Sequence, residues 1–368
     1  MPPVRMLFVG ESWLGSCARS LKEALARQPN VWLDEVNEDL WLPNARARWL
    51  RAATRLLGRA FQNELYGEIL RKVDAFRPDV VVVYKGALIE AGFVRRLQSL
   101  GCRVANVYPD CSPHAHGAHH RDAVGAYDLV ISTKPFHPAR WRTTYGYENP
   151  CLFVAQGYDP LLHLATASAD VPRFDVVLIA TWRPEYGALM ERLGGLLSDR
   201  HISVAAYGHG WLAQKDSLPQ HWTLGGGLHG RSYVEVLRQG RICIAPLTRD
   251  VVVNGERQPG DEDTTRTYEL AAARCFFIHR RTEFVRALYD EATEVPMYDT
   301  PEELAAKILH FLPLPLERAR MAAAAHHRAV PSYGLDCRAR DITSALAMCL
   351  ERPAATDALR ARATAQTA

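Results

Sequence analysis

No C-x-x-C pair occurs in this sequence: its eight cysteines, at positions 17, 102, 111, 151, 243, 275, 337 and 349, are dispersed, most of them in apolar strands or helices. That dispersal excludes a zinc or disulfide framework and marks the cysteines as reduced core residues. An excess of one charge is also missing. With 44 Lys+Arg against 41 Asp+Glu the formal charge is +3, too mild to demand a nucleic-acid partner. Long apolar runs are absent too. "MPPVRMLFVGESWLG" enters an apolar strand of about six residues, too short for a signal h-region or a membrane span. Cytoplasmic residence is the expectation.

What is present is an ordinary globular composition, 48% apolar and 23% charged over 368 residues, enough for two domains with developed cores. Apolar runs at Val4–Val9, Val31–Val36, Asp79–Tyr84, Arg103–Val107, Asp128–Ser132 and Leu152–Ala155 alternate with helical periodicity, which predicts an α/β fold with a mainly parallel sheet covered on both faces. Residues 156–173 break the pattern with Gly, Pro, Ser and Asp and read as a linker. A second series follows at 174–180, 202–208, 241–247, 275–279 and 294–299. The expected organisation is two Rossmann-like domains, 1–157 and 172–330, then a helix at 331–350 and a tail from 353 to 368 with too little apolar pattern to pack. Thr300, Pro301 and Glu303 predict a capping box at the start of a scaffold helix.

Ligands of open parallel sheets bind outside the carboxyl ends of the strands, so polar residues there are the candidates. Strand one ends in Gly10, Glu11, Ser12 and Gly15 before a helix, where backbone N–H groups are free for an anion; the same residues also fit a simple tight turn. Their spacing is not that of a dinucleotide fingerprint, so no nicotinamide or flavin cofactor is expected. Strand three ends in Lys85, which can face a phosphate or an acceptor or simply solvent. "NVYPDCSPHAHGAHH" places Asp110 at the edge of strand four, followed by His114, His116, His119 and His120. These histidines lack a paired ligand set at structural-metal spacing, so no metal is assigned; Asp110 or His114 is the candidate general base.

In the second half, Arg183 precedes a helix as a diphosphate clamp or a surface residue. Gly208 and His209 in "YGHGW" allow a nucleobase or phosphate against the backbone, with Trp211 as the alternative core plug. The segment "DEDTTRTYELAAARCFFIH", 261–279, carries most weight. Asp263 or Thr264 is a natural N-cap for a helix starting near Thr265, leaving its positive end for a pyrophosphate. Arg266 and Glu269 lie three apart on one face, the carboxylate suited to ribose hydroxyls and the guanidinium to phosphate. A solvated Arg–Glu pair is the competing reading. "DED" also fits an Asp-x-Asp metal motif, which is too short to be specific.

Together "VVVYKGALI", "NVYPDCSP", "FVAQGYDPLLH", "YGHGW", "TRTYELAAARCFFIH" and "ALYDEATEVPMYDTPEELAAKILHFL" resemble GT-B glycosyltransferases over nearly the full length, most closely the CgeB-like, spore-maturation-type branch. The resemblance implies two Rossmann-like domains facing a cleft and a final helix crossing back to the first. It also implies a nucleotide-sugar donor held by the second domain, an acceptor held by the first, and no obligatory metal or further cofactor. The acceptor is a hydroxyl on a glycan, lipid-linked, protein or small molecule. Relatives carry two glutamates seven residues apart; Glu269 matches the second and the shorter Asp261 stands for the first. They close the helix with Gly, where this chain has Arg274, which would strain a left-handed cap by about 1 kcal/mol.

Two rival readings share the pattern: a sugar-nucleotide epimerase of the same fold, and a non-catalytic binding protein. Residues 46–61 alternate an arginine face (Arg48, Arg51, Arg55, Arg59) with an apolar one (Trp49, Ala53, Leu57, Phe61), the pattern of an interfacial helix or of a covering helix of the first domain. Peripheral membrane contact is the expectation from the first.

Overall fold

A computed structural model describes residues 3–41, 58–116, 118–164 and 172–351. Residues 46–57 of the basic amphipathic stretch and the tail from 353 lie outside them. The chain divides into two compact units: the described residues up to Val154 together with those from Ala339 onward, and Ala155–Arg338.

The first unit runs β1 (Val4–Gly10), α1 (Cys17–Ala26), β2 (Val31–Asn37), α2 (Gly58–Phe76), β3 (Val80–Tyr84), α3 (Ala91–Ser99), β4 (Arg103–Tyr108), α4 (Ala118–Val124), β5 (Leu129–Ser132), α5 (His137–Arg140) and β6 (Cys151–Phe153). Its sheet has the order β2-β1-β3-β4-β5-β6, and every pairing is parallel. The run VVVVY of β3 is buried at all five positions, as a strand covered on both faces requires. Leu65, Ile69 and Val73 of α2 and Phe93, Val94 and Leu97 of α3 close the core over it. The register Gly10↔Asn37 and Val9↔Val83 then fixes the functional edge. In parallel strands it sets Glu38, Glu11 and Lys85, the first residues past β2, β1 and β3, side by side.

The second unit runs α6 (Pro160–His163), β7 (Phe174–Ile179), α7 (Pro184–Leu196), β8 (Val204–Tyr207), β9 (Thr223–Gly225), α8 (Arg231–Arg238), β10 (Gly240–Ala245), a hairpin of β11 (Val251–Val253) and β12 (Glu256–Gln258), α9 (Thr265–Ala272), β13 (Phe277–Arg280), α10 (Glu283–Leu288), β14 (Met297–Tyr298), α11 (Pro301–Phe311) and α12 (Pro315–Ala329). A final helix, α13 (Leu335–Glu351), crosses the division between the units at Arg338. The second sheet, β14-β13-β10-β7-β8-β9, is again parallel. Ala271, Ala272 and Ala273 are buried, so small side chains let α9 pack closely. At α11 the Thr300 hydroxyl accepts from the Glu303 N–H, but the Glu303 carboxylate accepts from the Asp299 N–H instead of that of Thr300. The expected reciprocal box is therefore only half formed.

Candidate functional site

The second unit gathers the residues of 261–279 around the start of α9. Thr264 is the N-cap in extended backbone, and its N–H donates to the Thr267 hydroxyl at 3.1 Å. That hydroxyl contacts His279 Nε2 at 2.9 Å, while His279 Nδ1 lies 2.7 Å from the Arg280 carbonyl oxygen. A carbonyl accepts only, so Nδ1 carries the proton and Nε2 accepts from Thr267. Burial depresses His279 to about 4, which keeps this chain neutral and directional. Asp263 does not cap the helix; it accepts from the Tyr268 hydroxyl at 2.5 Å.

Two polar atoms at this helix start are enclosed and find no acceptor for their own protons among the described residues: Arg266 Nε and the Thr264 hydroxyl, the latter only facing the Thr267 N–H in the capping box. Arg266 donates from its far nitrogen to the Pro246 carbonyl at 3.1 Å, which anchors the guanidinium just past β10. Enclosed unpaired donors cost about 1–3 kcal/mol each, so such a pair at the positive end of a helix points to an anion. Glu269, a turn later, is not a solvated partner of Arg266: its side chain is 13% exposed. It accepts from the Tyr233 hydroxyl at 2.7 Å, and His163 Nε2 stands 3.6 Å from its other oxygen. Tyr233 and His163 are 36 and 106 residues away in sequence; Tyr233 lies in no motif, and His163 closes the segment "FVAQGYDPLLH".

The other candidates of this unit spread along the same sheet edge. Thr265 opens α9. Asp261 donates its N–H to the Thr248 carbonyl, and its own carbonyl accepts from Arg249. Arg183 is the exposed N-cap residue of α7. Gly208 has φ +143°, and a Cβ there would fall 2.0 Å from the Ala180 carbonyl oxygen, so close strand-end packing by itself requires glycine. The His209 ring sits beside Gly227 and 6.0 Å from that of His229. Trp211 is the core plug, wholly buried and donating to the Ala180 carbonyl at 2.7 Å. The sequence reading passed over the glycine run 225–230, which joins β9 to α8 and was legible from spacing alone.

The first unit brings Lys85 and Asp110 together at 3.3 Å, and His116 Nε2 is 2.7 Å from the same carboxylate oxygen. Burial works to raise Asp110, but the His116 hydrogen bond and the Lys85 charge outweigh it and hold the carboxyl at about 2. A carboxylate so stabilised is a weak base. His114 faces the core, edge-on to Tyr145 at 5.5 Å. Lys85 and Gly86 both adopt left-handed backbone, φ +59° and +79°, and the Lys85 carbonyl is pinned by Asn106 Nδ2 at 3.2 Å and faces His120 Nε2 at 3.0 Å. After β1, Gly15 takes φ +96°. The Ser12 N–H donates to Asp39 at 2.7 Å, Glu11 accepts from the Trp13 indole, and Ser16 caps α1. Gly10 ends β1, and the hydrogen bonds of this loop are the local ones of a tight turn.

One residue here had no sequence signal. Glu38, in the short turn after β2, has an enclosed Oε1 without a partner among the described residues, and burial, with Glu11 and Asp39 adding to it, raises its carboxyl to about 7. No group of three or more His, Cys, Asp or Glu side chains among the described residues is placed to hold a metal ion, and no helix among them is long and apolar enough to cross a membrane.

Comparison with known proteins gives this geometry a class. Solved structures similar in fold include sucrose-phosphate synthase from Thermosynechococcus elongatus, with a TM-score of 0.65, 14% identity, and 94% of this chain and 98% of that one covered. Anabaena HepE, solved in complex with UDP-glucose, gives a TM-score of 0.64 at 12% identity, covering 94% and 100%. A glycosyltransferase from Rickettsia africae gives 0.60 at 10%, covering 96% and 100%. At such identities the likeness establishes the fold, which is GT-B. Residues 188–344 match a family model described as glycosyl transferase-like, and a search of curated protein sequences gives no match. The family match covers less than half of the chain, and the fold is the one seen in GT-B glycosyltransferase structures.

Proposed function

We propose that the protein moves a sugar from a nucleoside-diphosphate donor to an acceptor hydroxyl, as a cytoplasmic member of the CgeB-like branch. The observation that carries this reading is the pair of enclosed donors without an acceptor at the start of α9, Thr264 hydroxyl and Arg266 Nε, with Glu269 fixed a turn later by Tyr233. A diphosphate supplies acceptors for the first two and for the free N–H groups of the helix. Glu269, held rigid from behind, then accepts from the ribose hydroxyls.

As the bond from the anomeric carbon to the diphosphate breaks through an oxocarbenium-like transition state, negative charge gathers on the leaving oxygen. Arg266 and the helix end oppose that charge more strongly in the transition state than in the ground state. The compensation comes from the protein's own groups, so the reading requires no metal. HepE was solved with UDP-glucose, and a uridine donor is therefore the first to test.

A thermal-shift panel of UDP, GDP, CDP, TDP and their sugar esters, with wild type and Glu269→Ala, decides the matter. One nucleotide class should raise Tm in the wild type and not in the variant. Stabilisation by none of them rejects the reading, and isomerisation of the sugar in an intact nucleotide sugar, with no nucleoside diphosphate released and no acceptor added, reassigns the protein to an epimerase.

A further inference from the structure

The two oxygens of Glu269 are held differently. Oε2 accepts from the Tyr233 hydroxyl at 2.7 Å. Oε1 stands 3.6 Å from His163 Nε2, outside direct hydrogen-bond range yet close enough for a small turn of the carboxylate to close the gap. His163 is itself fixed by the backbone of its own helix. Its Nδ1 receives the Asp159 N–H at 3.1 Å. The Asp159 carbonyl lies 3.2 Å from the same nitrogen, but it already accepts the N–H groups of Leu162 and His163, which fill its two lone pairs. Nδ1 is therefore an acceptor, and the ring proton sits on Nε2, the nitrogen that faces Glu269. The ring is buried at the end of α6, whose first turn Asp159 closes by accepting the Leu161 N–H at 2.9 Å. The preceding residue is tied down in turn: Tyr158 donates its N–H to the Tyr333 carbonyl, accepts from the Leu335 N–H and donates its hydroxyl to the Val330 carbonyl at 2.7 Å. A donor anchored through this many bonds can impose its orientation on the group it faces.

We propose that His163 is a positioning residue: with Tyr233 it sets the plane of the Glu269 carboxylate, and through that plane the preference for a ribose over a 2′-deoxyribose in the nucleotide. The inference rests on the donor reading above. One hydrogen bond, from Tyr233, leaves the carboxylate able to swing about that contact. A second donor on the other oxygen removes the swing, and both oxygens keep a lone pair for the ligand. A ribose offers two neighbouring hydroxyls to such a carboxylate and a deoxyribose only one, so the distinction is sharpest when both oxygens are held in place.

Calorimetry with UDP and with 2′-deoxy-UDP on wild type, His163→Phe and His163→Gln tests this, with Tm of each free protein measured alongside. Wild type should prefer UDP by about tenfold to a hundredfold, the worth of a hydrogen bond to a charged group. His163→Phe keeps a ring and loses the N–H; its preference should fall to about threefold or less, through weaker UDP binding and with 2′-deoxy-UDP affinity within about twofold of wild type. His163→Gln, whose amide carries a donor, should restore most of the preference. A merely structural histidine would weaken both nucleotides alike and lower Tm with the preference unchanged, and that result overturns the proposal, as does a glutamine variant no more selective than the phenylalanine one. If phenylalanine at 163 prevents folding, His163→Leu takes its place with the same expected loss of preference. UDP bound by wild type without preference over 2′-deoxy-UDP overturns the proposal and leaves the anion site at the start of α9 standing. Absence of UDP binding in wild type defeats the uridine-donor reading and the proposal together.

Discussion

The carboxyl edges of the two sheets are built from the same topology and loaded with opposite chemistry. In the first unit Glu38, Glu11 and Asp110 stand around a single ammonium, Lys85; in the second a guanidinium, a hydroxyl and a helix start stand open. Parallel sheets bring loop residues to one edge whatever their sequence, so topology supplies the place and side chains supply the sign of charge. The second edge carries a guanidinium and a helix start, and the first carries mostly acids. Within each edge the unpaired groups are the informative ones, since a satisfied pair such as Asp110–His116 is already stabilised in the free protein.

Each unit buries two histidines, His120 and His137 in the first and His163 and His279 in the second, and acid should expose the strongest contrast between His137 and His279 on one side and Glu38 on the other. His137, with Nδ1 2.6 Å from the Ser132 hydroxyl and Nε2 3.0 Å from the Cys111 carbonyl, is depressed by burial to about 4, as is His279. A histidine with a lowered folded value binds its proton more readily in the unfolded chain. Stability is therefore lost as pH falls from about 6.5 through 4, by on the order of 3 kcal/mol per histidine. Replacing both with glutamine should flatten the slope of denaturation midpoints in that window. Glu38 works the other way. Its raised folded value makes stability fall as pH rises from 4.5 to about 7, so Glu38→Gln should be more stable than wild type at pH 8.

Next in size is Arg266→Ala, which should weaken UDP binding by about 100-fold through loss of charged hydrogen bonds. Arg281→Ala is its control: that guanidinium is already held by Glu291 at 2.6 Å and Glu303 at 3.0 Å, so calorimetry should find affinity unchanged and stability lowered. Thr264→Val should weaken UDP binding about tenfold and lower Tm slightly, because Thr264 is the N-cap of α9 and valine caps poorly. An unchanged UDP affinity would show that the hydroxyl is only structural. The smallest change is Arg274→Gly. Arg274 follows α9 at φ +56°, with N–H bonds back to Ala271 and, from Cys275, to Leu270. Glycine there should raise stability by about 1 kcal/mol in urea titrations.

Much of this was legible beforehand. The alternation of apolar runs and helical stretches gave two parallel sheets, and Thr264 before Thr265 gave the start of α9. Trp211 could be read two ways, and burial chose the core. The aromatic setting of His114 could not be read, because Tyr145 is brought to it by packing. Tyr233 was missed since nothing in its neighbours marks it, and His163, though it ends the motif "FVAQGYDPLLH", gave no sign that it stands beside Glu269, because only packing brings residues 106 positions apart together.

Periodicity and capping are local, set by steric and hydrogen-bonding preferences over a few residues, and so the chain by itself determined its elements, their alternation and the helix start at Thr264. Which carboxylate is charged at neutral pH was decided only by tertiary structure. Proton affinity follows burial and the charges within a few ångströms, and those came from strands paired in register across the sheet: His116 and Lys85 beside Asp110, Glu11 beside Glu38.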